Sequence, residues 1–244
     1  MDTEDTGQRA AIGLSAIGPR SAIRGFIQAG GRSSRMNRDK AWLEIDGVPM
    51  IERALAAAGP VVGRLGIIVN AGNPGIERYR KLAESARAEL IFDMRERLGP
   101  LGGIHTALAH CEDGESALIL ACDMPFITAE ILSFLRDVHQ NVNPAGNPQS
   151  AIIHNRGPQS ITVPLDQSGR AQPLPAIYDK SLEATIDRMI EANELKVDLL
   201  YSRVSTRRVD FAEFAHLREA ERFFINVNTP EEYRDAVRGT TNAT

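Results

Sequence analysis

Short apolar runs alternate with helical segments through the first 140 residues, and this alternation constrains the fold more than any other feature. The apolar runs predict buried strands because they are short and are closed by glycine, asparagine or aspartate. Strands are predicted at 24–29, 41–45, 65–69, 89–92 and 116–121, with helices at 50–58, 75–88, 100–109 and 128–140. Such alternation builds a mostly parallel sheet with helices on both faces. The predicted fold class is therefore α/β, a Rossmann-like, doubly wound sheet.

The second half of the chain continues the same fold. Further strands are predicted at 151–154, 160–163, 175–178, 207–209 and 223–227, and helices at 182–192 and 230–237. Residues 141–149 are rich in Asn, Pro and Gly and predict a linker, which fits a surface excursion within one domain as well as a domain boundary. We predict a flexible extension at 1–22 and a single domain at 23–239, whose halves span about 23–140 and 150–239.

Composition and charge exclude several classes of protein. The net charge of −4 argues against a nucleic-acid-binding protein, which would normally be basic. No apolar run approaches the ~20 residues that span a membrane. The two cysteines, Cys111 and Cys122, do not form a metal or redox motif, and reduced thiols are typical of a cytoplasmic protein. We therefore expect a cytoplasmic protein with neither a nucleic acid nor a membrane as partner.

A glycine-rich, basic loop follows the first predicted strand, where ligands bind in open α/β sheets. Gly30 and Gly31 let backbone N–H groups approach an anion, Arg35 offers a planar fork and Lys40 a compact charge. The spacing matches neither the P-loop nor the dinucleotide fingerprint. A solvated turn would explain a lone Gly-Gly pair, but four basic side chains within the loop favour a phosphate site.

Polar side chains follow three of the other predicted strands. Asp123 comes after the strand at 116–121, and its carboxylate suits Mg²⁺, which prefers one or two carboxylates together with phosphate oxygens. Asn70 and Asp93 end the strands at 65–69 and 89–92, so all three reach the same edge of the sheet. Each residue also fits an ordinary turn or helix cap.

Residues 28–41 read Gln-Ala-Gly-Gly-Arg-Ser-Ser-Arg-Met-Asn-Arg-Asp-Lys-Ala. They resemble the signature of the molybdenum cofactor guanylyltransferases, Leu-Ala-Gly-Gly-x-Ser-x-Arg-Met-Gly-x-Asp-Lys-Ala. The resemblance covers about 24–238 and includes further motifs at 99–104, 122–126, 173–178 and 226–232. Three residues depart from the pattern. Gln28 replaces an apolar residue, Asn37 replaces a glycine but tolerates left-handed φ, and Pro175 replaces a residue that is commonly Cys.

The resemblance implies a fold of the nucleotide-diphospho-sugar transferase type and a reaction. GMP would pass from GTP to the terminal phosphate of molybdenum-molybdopterin, with pyrophosphate released and Mg²⁺ as cofactor. The implied partners are GTP, molybdopterin, and the proteins that insert the cofactor or receive it. The catalytic residues would be Arg35, Lys40 and Asp123, with Asp123 also holding the metal. The nucleotide-binding residues would be Gln28, Ala29, Gly30, Gly31, Lys40, Asn70, Asp93 and Asp123. Asn226 and Asn228 would lie on the acceptor side, one of them acting in the site and the other capping the helix at 230–237.

Two other functions share these features. A nucleotidyltransferase for cytidylyl transfer or for a sugar phosphate would keep the loop and Asp123 and change the base and acceptor pockets. A non-catalytic, nucleotide-binding regulator is the second alternative, and the presence of Lys40 and Asp123 argues against it.

Overall fold

The computed structural model of the protein describes residues 23–29, 39–95, 98–140 and 160–241, with side chains as far as residue 238. The predicted extension at 1–22, the linker at 141–149 and the strand at 151–154 lie outside the described residues. So does most of the glycine-rich loop, including Gly30, Gly31 and Arg35.

The first half alternates strands and helices as the sequence predicts. Its elements are β1 (Ile23–Gln28), β2 (Glu44–Ile45), β3 (Val48–Pro49), α1 (Met50–Ala58), β4 (Arg64–Val69), α2 (Ile76–Ala86), β5 (Ala88–Phe92), α3 (Pro100–Ala109), β6 (Ser116–Ala121) and α4 (Ala129–His139). The second half contains β7 (Ile161–Pro164), β8 (Ala176–Asp179), α5 (Glu183–Glu191), α6 (Val197–Arg203), β9 (Thr206–Val209), α7 (Phe211–Phe214) and α8 (Pro230–Thr241).

Within the part of the chain that the structure describes, seven strands form one sheet in the order β5-β4-β1-β6-β8-β7-β9. Strand β1 pairs in parallel with β4 and β6, and β4 pairs in parallel with β5. Strand β8 runs antiparallel to its neighbours β6 and β7, and β7 pairs in parallel with β9. The predicted α/β class with a mostly parallel, Rossmann-like sheet is confirmed. Because β5, β4, β1 and β6 are parallel neighbours, their carboxyl ends meet at one edge.

Helices cover both faces of this sheet. Ile27 of β1 faces a buried cluster that includes residues of α1, α2 and α4. Phe26, its neighbour, faces a second cluster that includes residues of α3, α5 and α6. Successive side chains of a strand point to opposite faces, and β1 is buried from Ile23 to Ile27 because both of its faces are covered.

Two predicted strands are wrong. The segment predicted as a strand at 41–45 begins with a 3₁₀ turn at Lys40–Trp42, which Asp39 caps, and only Glu44 and Ile45 are extended. The apolar run at 223–227 contains no strand. Its buried side chains, Phe223 and Val227, lie instead in a turn that follows the 3₁₀ helix Ala220–Arg222. A short apolar run shows that a segment is buried without showing its backbone conformation.

Helix α6 was not predicted. Within the described residues, every helix is too short or too polar to cross a membrane.

Candidate active site

Lys40 is the described residue of the basic loop that reaches the carboxyl edge of the sheet. It starts the 3₁₀ turn that Asp39 caps by accepting a hydrogen bond from the N–H of Ala41 at 3.2 Å. The Nζ of Lys40 donates to Oδ1 of Asn228 at 2.8 Å. The structure therefore brings together two of the predicted site residues, one from each end of the chain.

Asp123 lies at the same edge, two residues beyond β6. Burial raises the pKa of its carboxyl group, Lys40 opposes that rise, and Glu232 adds to it. Its carbonyl oxygen accepts a hydrogen bond from the N–H of Val227 at 2.8 Å, so the main chain ties the segment around Asn228 to Asp123. Among the described residues, Lys40 is the cation that acts on this half-buried carboxylate, and it does not cancel the rise in pKa.

The described residues contain no cluster of three or more His, Cys, Asp or Glu that would hold a metal on its own. This arrangement fits Mg²⁺, which keeps several waters and is held by one or two carboxylates together with substrate phosphates. A divalent cation beside Asp123 would stabilise the ionised form that burial disfavours. Asp123 is thus suited to share a Mg²⁺ ion with bound phosphate groups.

The two asparagines near the C-terminal end have different surroundings. Asn228 contacts Lys40, whereas the Nδ2 of Asn226 donates to the carbonyl oxygen of Phe224 at 3.2 Å within its own turn. Neither caps α8 with its side chain, and this part of the prediction is wrong. The cap is Thr229, whose Oγ1 accepts from the N–H of Glu232 at 3.1 Å while the Glu232 carboxylate accepts from the Thr229 N–H at 2.9 Å. This reciprocal pair is a capping box.

Asp93 and Asn70 follow the neighbouring strands β5 and β4 at the same edge. The Oδ1 of Asp93 accepts hydrogen bonds from the Oγ1 of Thr106 at 3.0 Å and from the N–H of Arg95 at 3.2 Å. Thr106 is fully buried on α3 and in turn accepts from the N–H of Met94 at 3.1 Å. The carboxylate of Asp93 is therefore held in a fixed orientation on a half-buried surface.

Gln28 ends β1 between these residues and Asp123, and its side chain packs on the backbone of α3. A Cβ atom added to Gly103 would lie 1.7 Å from the Nε2 of Gln28, so only glycine leaves room for this side chain. That Nε2 is buried and has no hydrogen-bond partner among the described residues. The N–H of Ala29 donates to Ile68 and the carbonyl oxygen of Gln28 accepts from Cys122. These two backbone groups are thus engaged in hydrogen bonds with β4 and with the residue after β6.

The fold and this edge define a class of protein. A mostly parallel α/β sheet presents a lysine, a carboxylate suited to Mg²⁺ and several polar strand ends at one edge, as enzymes that bind nucleoside triphosphates do. Residues 25–206 match the family described as MobA-like NTP transferase domain. The chain belongs to this family and is a nucleotidyltransferase.

Individual relatives agree with this assignment. The chain is 32% identical over 216 residues to a probable molybdenum cofactor guanylyltransferase of Clostridium perfringens, covering 87% of this chain and 94% of the relative. It is 32% identical over 211 residues to the protein of the same description from Flavobacterium johnsoniae, covering 86% and 94%. The fold is similar to the crystal structure of molybdopterin-guanine dinucleotide biosynthesis protein A from Archaeoglobus fulgidus, with a TM-score of 0.68, 22% identity and coverage of 90% and 99%.

Proposed function

We propose that the protein transfers GMP from GTP to the terminal phosphate of molybdenum-molybdopterin, giving the guanine dinucleotide cofactor and pyrophosphate. The catalytic part of this proposal is supported by one observation, that Lys40 lies near Asp123 and Asn228 at the carboxyl edge of the sheet. The choice of acceptor rests on the relatives, two of which are described as molybdenum cofactor guanylyltransferases at 32% identity.

The reaction forms a bond between an acceptor phosphate oxygen and the α-phosphorus of GTP. The bond from that phosphorus to the α,β-bridging oxygen breaks, and the electron pair leaves with pyrophosphate. The attacking phosphate is already ionised near neutral pH, so the chain does not need to supply a general base. Catalysis then depends on positioning and on neutralising negative charge.

Lys40 neutralises charge on the triphosphate, and Arg35 is proposed to act with it from the loop. Asp123 would hold Mg²⁺ together with phosphate oxygens. The ion, when bound, supplies Lewis-acid polarisation of the α-phosphate. Asn228 holds the Lys40 ammonium group at the edge of the sheet before the nucleotide arrives.

Asp93 is proposed to select guanine. A carboxylate accepts from the N1–H and the 2-amino group of guanine together, a pair of donors that cytosine does not present. Thr106 and the N–H of Arg95 donate to one carboxylate oxygen and fix the orientation of the group. Asn70, at the neighbouring strand end, is proposed to contribute a further polar contact to the nucleotide.

The direct test is incubation of the protein with labelled GTP, Mg²⁺ and molybdenum-molybdopterin. We expect a labelled guanine dinucleotide and one equivalent of pyrophosphate per product, and no product from the Lys40→Met variant. A faster reaction with CTP would replace the guanylyl assignment by a cytidylyl one. Product formed only with a sugar phosphate would change the acceptor. Nucleotide binding without pyrophosphate release would identify a regulator.

A further inference from the structure

Asp39 precedes Lys40, and both of its carboxylate oxygens are engaged by the protein itself. Oδ1 accepts from the N–H of Ala41 at 3.2 Å. Oδ2 accepts from the hydroxyl of Tyr79 at 2.6 Å and from the Nδ2 of Asn73 at 3.4 Å. Asp39 is thus part of a hydrogen-bonded cluster that joins the end of the basic loop to helix α2.

The residue two places after Lys40 is held by the same helix. The ring of Trp42 lies 5.1 Å from the ring of Tyr79, centroid to centroid. The guanidinium of Arg78 lies 3.7 Å from the centre of the Trp42 ring, on its face. Helix α2 therefore contacts the chain on both sides of Lys40, at Asp39 through the hydrogen bond from Tyr79 and at Trp42 through a tilted ring contact and a cation–π contact.

Tyr79 is a rigid anchor for this contact. Its side chain is fully buried in the cluster that fills the α1, α2 and α4 face of the sheet. Burial and the neighbouring Asp39 carboxylate raise the pKa of the Tyr79 hydroxyl above its usual range, so the hydroxyl is protonated at neutral pH and donates to Asp39. A short bond from an immobile donor fixes the position of the carboxylate.

We propose that Tyr79 and Asp39 are positioning residues that fix the backbone at Lys40, so that its ammonium group is aimed at the triphosphate. The inference rests on the proposed function for the role of Lys40. A lysine side chain is long and flexible, and its backbone position sets which atoms it reaches. Displacements of about 1 Å in a positioning group are enough to cost up to about 100-fold in rate.

The test is a double-mutant cycle in the full-length protein, with the dissociation constant for Mg²⁺-GTP measured by calorimetry. Tyr79→Phe removes only the hydroxyl, and we expect about tenfold weaker binding. In the Lys40→Met background the same substitution should change the affinity less than twofold, because the group that Tyr79 positions is absent. A purely structural role for Tyr79 would weaken binding equally in both backgrounds, and that result would overturn the proposal.

Ser116→Ala provides the matched control. It also removes a buried hydroxyl, whose Oγ lies 3.1 Å from the Nε2 of His139, but it does so at the amino end of β6, away from Lys40. We expect a comparable loss of thermal stability and less than a twofold change in GTP affinity. If Ser116→Ala weakens GTP binding as much as Tyr79→Phe does, general destabilisation explains both and the proposal is wrong.

The conservative variant of Asp39 gives a second readout if Tyr79→Phe folds poorly. Asp39→Asn keeps an oxygen for the Ala41 N–H and places an amide nitrogen that donates to the Tyr79 hydroxyl, with loss of the longer contact from Asn73. We expect GTP affinity within about threefold of wild type for Asp39→Asn and about tenfold weaker for Asp39→Ala. Equal affinity for both would overturn the positioning role. Unchanged affinity in Lys40→Met alone would instead refute the proposed function of Lys40.

Discussion

The Nζ of Lys40 and the Oδ1 of Asn228 are 2.8 Å apart, although the two residues are separated by 188 positions in the chain. The contact places the ammonium group at the same edge as Asp123 before any phosphate is bound. A triphosphate would offer Lys40 negatively charged oxygens in place of a neutral amide, which adds attraction between opposite charges to a bond whose donor is already ionised.

Replacing Lys40 with alanine is expected to abolish measurable transfer. The loss of one preorganised charge donor typically costs 10²–10³ in kcat. Because Lys40 is only half-buried, the fold should be kept. Pyrophosphate release measures the rate and thermal unfolding measures the fold. The control is Lys196→Ala, an exposed lysine that changes the net charge equally. Wild-type turnover by the Lys40 variant would refute the assigned role.

The Asp123→Asn substitution is expected to leave the folding stability unchanged or raised while it removes the stabilisation that Mg²⁺-GTP provides. Burial raises the pKa of Asp123 above its unfolded value, so the ionised carboxylate opposes folding at neutral pH. The neutral variant without ligand should therefore unfold at the same temperature as wild type or higher at pH 7, and this advantage should vanish below the unfolded pKa of about 3.9. The increase in melting temperature that Mg²⁺-GTP gives to wild type should be lost. An unchanged response to Mg²⁺-GTP would show that the metal is held elsewhere.

Guanine selectivity should appear as a difference in ligand-induced stabilisation. A ligand that binds only the folded protein raises its stability in proportion to the logarithm of concentration over dissociation constant. At equal concentration with Mg²⁺, we expect GTP to raise the melting temperature more than ATP, CTP or UTP. Asp93→Asn should reduce this preference because an amide supplies one acceptor where guanine offers two donors. Equal shifts from all four nucleotides in wild type would end the guanylyl assignment.

The contact between Gln28 and Gly103 predicts a coupled pair of substitutions. Alanine in place of a helical glycine normally adds about 1 kcal/mol to helix stability. In wild type the new methyl group would collide with the buried Gln28 amide, so Gly103→Ala should lose this gain. In the Gln28→Ala background it should stabilise the protein by about 1 kcal/mol. Urea unfolding of the four proteins gives the coupling free energy, and a value near zero would contradict the packing.

Stability at mildly acidic pH should depend on His139. Its two ring nitrogens lie 3.1 Å from Ser116 Oγ and 2.9 Å from Thr162 Oγ1, and burial lowers its pKa to about 4 although Asp179 opposes the shift. The unfolded chain takes up this proton near pH 6.5 and the folded protein does not. Stability should therefore fall by up to about 3 kcal/mol between pH 6.5 and pH 4.

The His139→Gln variant provides the comparison for that pH dependence. It lacks the titrating group, so its free energy of unfolding should fall less steeply over the same interval. Parallel curves for the two proteins, measured by urea unfolding from pH 4 to pH 7, would show that another group controls acid stability.

The sequence was sufficient to place the polar strand ends. Asn70, Asp93 and Asp123 each follow an apolar run, and parallel strands end at one edge, so their proximity follows from local patterns alone. The reversed strand β8 could not be predicted in this way, because strand direction depends on which partner the chain finds. The start of α8 is also marked in the sequence, because Thr229 and Glu232 have the spacing of a capping box.

Contacts between distant segments account for what sequence patterns did not predict. Nothing in the periodicity of α2 distinguishes Tyr79 from a residue that serves only the core, and its hydroxyl gains a role only when Asp39 is packed against it. The choice between Asn226 and Asn228 likewise depends on how the turn before α8 meets Lys40.

The segment that contains Val227 and Asn228 reaches back to Asp123 and Lys40, and this has a consequence for the order in which the protein matures on the ribosome. Strands β1, β4, β5 and β6 emerge before that segment and pair with one another, so a nascent chain can form this edge of the sheet while synthesis continues. Val227 and Asn228, which complete the edge, are translated after all four strands. We therefore expect catalytic competence to be gained only after the segment around Val227 has docked.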